Sequence, residues 1–255
     1  MKLLEIHNVT KFFGGLAALT KVNISISFQE ILGLIGPNGA GKTTLFNCIT
    51  GIYPPSEGRI LFSGEDITGL GPHEIAKRGA ARTFQLTKIF SEVSLLENIM
   101  MARYCRTKAG VGDAIFNTSF AKREKNESRE KSLYFLELVG LITLRDELPK
   151  NLPYGSQRRL AIAIALATEP TLLLLDEPAA GMNPEESDEM IELIGKIRGL
   201  GITIFLVEHD MRVIMGISDR IVVLNFGEII GEGSPQEIQE NERVIEAYLG
   251  KEEYA

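Results

Sequence analysis

A glycine-rich segment that follows an apolar run is the feature that most restricts how this chain can fold. The run Ile31–Ile35 leads directly into a segment that fits GxxxxGK[ST], namely Gly36-Pro37-Asn38-Gly39-Ala40-Gly41-Lys42-Thr43. Glycines let successive N–H groups point inward at an anion, and a helix expected over Gly41–Thr50 adds the partial positive charge of its N-terminus. The segment therefore predicts a strand, a phosphate-binding loop and a helix, in that order.

Two side chains at the end of this loop have distinct expected roles. Lys42 can reach the β- and γ-phosphates of a nucleotide, and the Thr43 hydroxyl can hold Mg²⁺. The alternative, a glycine-rich turn without a ligand, is disfavoured because the predicted strand and helix flank the loop on the correct sides. The predicted nucleotide-binding residues of this loop are Gly36, Pro37, Asn38, Gly39, Ala40, Gly41, Lys42, Thr43 and Thr44.

Two acidic residues end a second apolar run. Leu172–Leu175 is followed by Asp176 and Glu177, and a continuous apolar run is typical of a parallel strand covered on both faces. Ligands of such sheets bind beyond the carboxyl ends of the strands, so Asp176 is placed to hold Mg²⁺, directly or through water. Glu177 points elsewhere because side chains alternate along a strand, and it can polarise a water facing the γ-phosphate. By itself, the pair could equally cap the turn that begins at Pro178.

A histidine follows a third run of this kind. His209 comes after Thr203–Val207 and Glu208, which places it at the same edge of a parallel sheet, within reach of a γ-phosphate. A lone histidine is more often structural, so its position alone leaves both interpretations open. His7 and His73 have no such placement, and we predict no role for them.

The order of elements predicts an α/β fold with a mixed, largely parallel sheet, because short β-branched or leucine-rich runs alternate with helical patterns. The range 86–152 differs, since it contains helical patterns and a polar, charged stretch but no clear strand. We therefore expect a helical subdomain inserted at 86–152 within one large domain that spans 1–255.

Composition argues against several classes of protein. No run approaches the roughly 20 apolar residues that span a bilayer, so any membrane-embedded part should belong to another chain. A net charge of −7 argues against general attraction to nucleic acid. Cys48 and Cys105 lie far apart and form no CxxC pair, so a structural zinc site is not expected. The N-terminus also lacks the apolar core of a secretory signal.

Taken in order, these motifs resemble those of the ABC transporter ATPases over essentially the whole chain. The resemblance implies that Phe13 stacks on adenine and that Gln85 touches Mg²⁺ and water beside a membrane subunit. Leu152–Arg159 lies where the family has its signature segment, so Gly155 and Ser156 are expected to contact the nucleotide of a partner ATPase. These residues therefore join the predicted nucleotide site.

The same resemblance gives roles to the residues at the strand ends. Asp176 matches the metal-holding Walker B acid, Glu177 the catalytic glutamate and His209 the switch histidine. We therefore predict Glu177, His209 and Gln85 as catalytic residues, and Thr43, Gln85 and Asp176 as residues that hold Mg²⁺. The fold implied is that of a P-loop nucleotide hydrolase, without a separate C-terminal regulatory domain.

Within this family the chain is most similar to the larger ATPase of the branched-chain amino acid importers. The similar stretches are Phe13–Leu16, Phe46–Cys48, Arg82–Gln85, Pro178–Pro184, Met215–Arg220 and Ala247–Gly250. The resemblance implies ATP hydrolysis that powers import, with branched-chain amino acids as the expected cargo. Urea, amides or an exported lipid remain alternative cargoes, and a soluble, non-transport ABC-type ATPase is an alternative role. A GTPase switch is disfavoured because no NKxD-like segment is present.

The resemblance also implies a set of partners and a location. A second ATPase subunit, identical or different, would complete the nucleotide site, and transmembrane permease subunits would receive the motion. A periplasmic or extracellular solute-binding protein would act indirectly, and no nucleic acid is expected. The chain would then be cytoplasmic and peripheral on the inner face of the cell membrane.

The signature segment departs from the family pattern. Pro153 replaces the serine whose hydroxyl meets the partner's γ-phosphate, and proline offers neither a hydroxyl nor an N–H group. Ser156 stands where glutamine is common, and Asn183 where aspartate is usual. Two possibilities stay open for Pro153: slow hydrolysis, or a different partner whose signature segment does most of the work.

Overall fold

The computed structural model describes residues 1–83, 89–106 and 118–249. The chain divides into two compact units. The first comprises Met1–Arg82 and Thr171–Ala255, and the second comprises Thr83–Pro170. The range 86–152 lies inside the second unit.

The first unit contains two sheets and the helices that cover them. Its strands are β1 (Lys2–Phe13), β2 (Leu16–Ser27), β3 (Ile31–Ile35), β4 (Glu57–Phe62), β5 (Glu65–Asp66), β6 (Ala80–Arg82), β7 (Leu172–Asp176), β8 (Thr203–Val207), β9 (Arg220–Asn225) and β10 (Glu228–Gly233). Its helices are α1 (Lys42–Ile49), α2 (Pro72–Lys77), α6 (Pro184–Gly199), α7 (Met211–Ile217), α8 (Pro235–Gln239) and α9 (Glu242–Leu249). The labels α3 to α5 are those of the second unit, described below.

The larger sheet is mixed and largely parallel, as predicted. Its order is β10-β9-β3-β8-β7-β6, and only the pairing of β10 with β9 is antiparallel. Strands β3, β7 and β8 are buried along their whole length, which explains their continuous apolar sequences. The parallel strands therefore bring their carboxyl ends, and the residues that follow, to one edge.

A smaller antiparallel sheet precedes it in the chain. Its order is β2-β1-β4-β5, and the long β1–β2 pairing contains several shifts of register. Helix α1 packs in one buried cluster with residues of both sheets, and its Phe46 ring lies 4.9 Å from that of Phe205, between ring centroids. The helix that follows the phosphate loop is thus held by a continuous apolar core.

The described elements of the second unit are helical. The helices are α3 (Leu95–Ala102), α4 (Ser119–Leu138) and α5 (Tyr154–Leu166), and short 3₁₀ turns occur at Arg103–Arg106, Ile142–Leu144 and Pro149–Asn151. Helix α3 begins at Ser94, whose hydroxyl accepts the N–H of Glu97 while the Glu97 carboxylate accepts the N–H of Ser94. This reciprocal cap explains where the helix starts.

The two cysteines differ sharply in environment. Cys48 is buried in α1, and burial raises the pKa of its thiol to about 11. Cys105 is exposed, and its thiol donates a 3.2 Å hydrogen bond to the carbonyl of Ala102.

Among the described residues, no helix has both the length and the apolar composition needed to cross a membrane.

The buried side chains of strand β8 should contribute strongly to the free energy of unfolding of the first unit. Leu206 is fully buried within it, so Leu206→Ala should lower the free energy of unfolding by about 2–5 kcal/mol, because it removes apolar contacts and leaves a cavity. The matched control is Leu200→Ala, since Leu200 is 47% exposed and should cost no more than about 0.5 kcal/mol. Urea denaturation of both variants provides the measurement, and equal losses would contradict this packing.

Candidate nucleotide-binding site

The loop between β3 and α1 wraps around its own lysine. The Lys42 ammonium donates to the carbonyl oxygens of Gly36 at 2.6 Å and Pro37 at 3.1 Å. Burial lowers the pKa of Lys42, and the nearby carboxylates of Glu177 and Asp176 oppose that shift. The loop therefore holds a buried cation whose present partners are neutral carbonyls, which a phosphate oxygen could replace.

Two glycines of the loop allow backbone contacts that no side chain would permit. A Cβ atom on Gly36 would lie 2.0 Å from the carbonyl oxygen of Leu224, and one on Gly41 would lie 2.6 Å from that of Ala18. Both glycines also have positive φ angles, +153° and +107°. The sequence pattern thus reflects close seating of the loop against β2 and β9.

A third glycine joins the loop to both sheets. The N–H of Gly227, in the turn between β9 and β10, donates to the carbonyl of Ala40 at 2.9 Å. The carbonyl of Gly227 accepts the N–H of Thr20, on β2, also at 2.9 Å. Gly227 therefore links the antiparallel sheet, the end of the parallel sheet and the phosphate loop through backbone atoms alone.

A cavity of about 440 Å³ lies over the loop. It brings together most of the predicted loop residues with Glu177 and His209, as the strand-end argument expects. Its walls are formed by Leu16, Ala17, Ala18, Asn38, Gly39, Ala40, Gly41, Lys42, Thr43, Thr44, Glu177, His209 and Phe226.

The predicted base and the predicted histidine are in direct contact. His209 Nε2 lies 2.7 Å from Glu177 Oε1. Glu177 also has a left-handed backbone with φ of +50°, which costs free energy for a residue other than glycine. Its backbone is fixed by the hydrogen bond from its N–H to Val207 and by its carbonyl, which accepts the N–H of Ala180. This unusual conformation turns the Glu177 side chain into the cavity.

Asp176 is the last residue of β7 and forms a buried ion pair. Arg82 Nη2 donates to Asp176 Oδ2 at 2.7 Å, and Arg82 Nη1 donates to Asn47 Oδ1 at 2.6 Å. No role was predicted for Arg82, which lies at the end of β6. One oxygen of the expected metal ligand is therefore already bound by a guanidinium.

The donor set at this edge suits Mg²⁺. Within the described part of the chain, no group of three or more His, Cys, Asp or Glu side chains could hold a metal by itself. Nucleotide sites bind Mg²⁺ through one or two protein oxygens together with phosphate oxygens and water. The Thr43 hydroxyl in the cavity wall and the Asp176 carboxylate are donors of that hard type.

Phe13 ends β1 and belongs to an exposed aromatic pair. Its ring is nearly perpendicular to that of Tyr53, with 5.3 Å between centroids, and the Lys11 ammonium lies 5.3 Å and 5.7 Å from the two rings. Phe13 is not one of the described residues that line the cavity. Tyr53 matches none of the sequence patterns considered above, because it lies in a loop.

The remaining predicted site residues are Gln85, Gly155 and Ser156. Gln85 falls outside the described residues. Gly155 and Ser156 lie in the first turn of α5, in the second unit, where N–H groups have no acceptor within the helix. Pro153 precedes that helix, and its carbonyl accepts the N–H of Gln157 at 3.1 Å. The first hydrogen bond of the helix uses only this carbonyl, so a proline is compatible with the helix start.

The buried carboxylate of Glu208, for which no role was predicted, holds two segments of the site together. Glu208 is 2% exposed and accepts N–H groups from Ala179 at 2.7 Å and His209 at 3.1 Å. Burial raises the pKa of Glu208, and the negative charge of Glu177 acts in the same direction. An acidic residue directly after a buried strand was the available signal. Glu208 ties the segment after Glu177 to the segment that carries His209.

Comparison with known protein families settles what kind of protein this is. A model of the ABC transporter family matches residues 19–180. The chain belongs to the ABC transporter family. A second family model, for branched-chain amino acid ATP-binding cassette transporters, matches residues 228–254, so two models together cover most of this ABC cassette.

Curated relatives are similar over nearly the full length of the cassette. The high-affinity branched-chain amino acid transport ATP-binding protein LivG of Escherichia coli is 44% identical over 98% of both chains. The corresponding protein BraF of Pseudomonas aeruginosa is 43% identical, also over 98% of both chains.

Solved structures confirm the predicted fold of the cassette. An ATP-binding cassette of an ABC transporter in its ADP conformation has a TM-score of 0.86 and 32% identity, covering 98% of this chain and 99% of that one. The dimeric structure of a bacterial ABC transporter cassette has a TM-score of 0.78 and 27% identity, covering 91% of this chain and 99% of that one. The P-loop hydrolase core is therefore shared with known ABC ATPases.

Glu208 should be important for the folding of this edge of the sheet. We expect Glu208→Ala to lower the free energy of unfolding by about 1–3 kcal/mol, because buried N–H groups of the neighbouring loops lose their acceptor. Glu192, exposed on α6, provides the matched control Glu192→Ala, which should change stability by no more than about 0.5 kcal/mol. Denaturant titration compares the two variants, and an unchanged midpoint for Glu208→Ala would show that water replaces the carboxylate.

Proposed function

We propose that this chain is the ATP-hydrolysing subunit of an importer of branched-chain amino acids. The observation that carries the hydrolytic part is the contact between Glu177 and His209 inside the cavity of the phosphate loop. The cargo rests on full-length similarity to LivG and BraF, which are named as branched-chain amino acid transport proteins.

The phosphate loop is proposed to bind the triphosphate of ATP through residues Gly36–Thr44. The Lys42 ammonium would leave the carbonyls of Gly36 and Pro37 for phosphate oxygens, because a charged acceptor binds an ammonium more strongly than a carbonyl does. Phe13 would stack on the adenine ring, since the residue is 43% exposed at the end of β1.

Glu177 is proposed as the general base. A water attacks the γ-phosphorus, its proton passes to the Glu177 carboxylate, and the bond between the γ-phosphorus and the bridging oxygen of ADP breaks. His209 would hold the carboxylate in place through its 2.7 Å contact with Oε1. The products are ADP and inorganic phosphate.

The Thr43 hydroxyl and the Asp176 carboxylate are proposed to hold Mg²⁺, together with Gln85, which lies outside the described residues. When bound, Mg²⁺ neutralises charge on the phosphate oxygens. The ion pair with Arg82, at 2.7 Å, fixes the position of the Asp176 carboxylate at the end of β7.

A second ATPase subunit is proposed to complete each site, because the compared cassettes include a dimer. Gly155 and Ser156 would present the N–H groups of the first turn of α5 to the partner's nucleotide. Since Pro153 contributes no hydroxyl, backbone groups and the helix dipole would make this contact. The proposed further partners are transmembrane permease subunits and, indirectly, a solute-binding protein, with the ATPase on the cytoplasmic face of the membrane.

Replacing the proposed base should separate hydrolysis from binding. Glu177→Gln keeps the shape of the side chain but cannot accept the proton of water, so ATP turnover should fall about 10²–10⁴-fold while ATP affinity stays within about tenfold. His209→Ala should follow the same pattern with a smaller effect. Calorimetry and phosphate release measure the two quantities. Turnover of Glu177→Gln near the parent rate would assign the proton to another group.

The cargo can be tested in the assembled transporter. In liposomes that contain the permease subunits, ATP turnover should rise with a solute-binding protein loaded with L-leucine, because substrate delivery drives productive closure. Urea and L-lysine serve as comparison solutes and should not raise turnover. Stimulation by urea alone would support hydrolysis but replace the proposed cargo.

A further inference from the structure

A second cavity shares the phosphate loop as a wall, but Glu177 and His209 are not among the described residues that line it. Its volume is about 460 Å³, and it is bounded by the phosphate loop, the turn between β9 and β10, strand β10 and helix α9. The residues that line it include Pro37, Phe226, Ile230, Arg243, Glu246 and Ala247. Volumes of about 300–1,000 Å³ are typical of small-molecule sites.

The chemistry of the walls is that of a site for a small zwitterion. Arg243 and Glu246 lie one turn apart on α9 and both line the cavity. Neither side chain has an ion-pair partner elsewhere among the residues the structure describes. The rest of the lining is mostly apolar, with Ile230 on β10 and Ala247 on α9. One cation and one anion in the wall of a mostly apolar cavity complement a carboxylate, an ammonium and an aliphatic side chain.

Phe226 has a conformation that packing within the chain does not explain. It is 83% exposed, and its φ of +45° is costly for an aromatic residue in a turn that asparagine or glycine would occupy more easily. Its side chain lines both this cavity and the nucleotide cavity. An exposed aromatic side chain in a strained turn can pack over an apolar ligand. Because Phe226 lines both cavities, a change in its position would also alter the nucleotide cavity.

Helix α9 is also next to the first residue of the phosphate loop. The hydroxyl of Tyr248 lies near the N–H of Gly36, and Val244, one turn earlier on the helix, is buried next to Gly231 of β10. The outer wall of the cavity lies in the segment that matches the branched-chain cassette model, residues 228–254. The phosphate-loop wall lies within the match to the general ABC model.

We infer that this cavity binds a free aliphatic α-amino acid, with its carboxylate on Arg243, its ammonium on Glu246 and its side chain against Phe226 and Ile230. The physiological meaning rests on the proposed function, because the ligand would be the imported cargo after release. The cavity is present in the arrangement in which Lys42 binds the loop carbonyls, and both cavities share the wall formed by Asn38, Gly39 and Ala40. A bound amino acid would therefore favour that arrangement. It would therefore oppose ATP binding, since a ligand shifts a protein toward the conformation it binds better.

The direct test is binding of L-leucine to the full-length chain, without permease subunits, by calorimetry. Arg243→Ala and Glu246→Ala should each weaken binding about tenfold or more, because each removes the counter-charge of one ligand group. The matched controls Arg129→Ala and Glu130→Ala alter exposed residues of α4 and should leave affinity unchanged. Failure of L-leucine to bind at millimolar concentration, or an equal effect of the controls, would overturn the inference.

Two analogues separate the charged contacts. Isocaproate keeps the carboxylate and the aliphatic chain of leucine but lacks the ammonium, so its binding should depend on Arg243 and not on Glu246. Isoamylamine lacks the carboxylate, so its binding should show the opposite dependence. Identical dependence of both analogues on both residues would contradict the proposed orientation.

Coupling to the nucleotide site is tested by reciprocity. ATP affinity of the Glu177→Gln variant should fall about fivefold or more at saturating L-leucine, and L-leucine affinity should fall by the same factor at saturating ATP. Equal affinities with and without the second ligand would eliminate the coupling. These measurements involve no transport, so they are independent of the cargo test. If leucine binds here but the transporter moves another cargo, the proposed cargo alone is refuted. If the transporter moves leucine but leucine does not bind here, this inference alone is refuted.

Discussion

The backbone junction at Gly227 is the contact on which the arrangement of the nucleotide site depends. Gly227 has a positive φ angle. Its carbonyl accepts a hydrogen bond from β2, and its N–H donates one to the phosphate loop. A Cβ there would lie 2.7 Å from the carbonyl of Ala18, so the approach is possible only without a side chain. The loop is thereby fixed to two sheets before any ligand contributes.

The position of the catalytic edge follows from the same constraint. Parallel strands β3, β7 and β8 end together, and the loop, Glu177 and His209 are simply what comes next in the chain after each of them. The distance between the carboxylate and the imidazole is then set by local backbone details, namely the left-handed Glu177 and the bonds accepted by Glu208. Fold topology brings the groups to one place, and buried polar contacts set their separation.

Sequence patterns predicted the parallel core and the phosphate loop because a buried strand has an unbroken apolar run and glycines mark close backbone contacts. They did not identify β1 as a strand, since its pairing with β2 is interrupted by bulges and its outer positions are polar. They placed Asp176 at a strand end correctly, but they could not show the ion pair with Arg82, because the two residues lie far apart in the chain and meet only through the pairing of β6 with β7. Glu208 was overlooked for a related reason: the sequence shows an acidic residue after a buried strand, but it does not show the backbone N–H groups that this carboxylate accepts.

The contrast between the two thiols gives this cassette a natural chemical handle. A thiol must be ionised and reachable to react with alkylating reagents, and Cys48 meets neither condition because it is buried and has a pKa of about 11. Maleimide dyes or spin labels should therefore attach at Cys105 alone, without any cysteine having to be removed. Probe-to-probe distances between two assembled subunits could then follow the opening and closing of the motor in the native sequence.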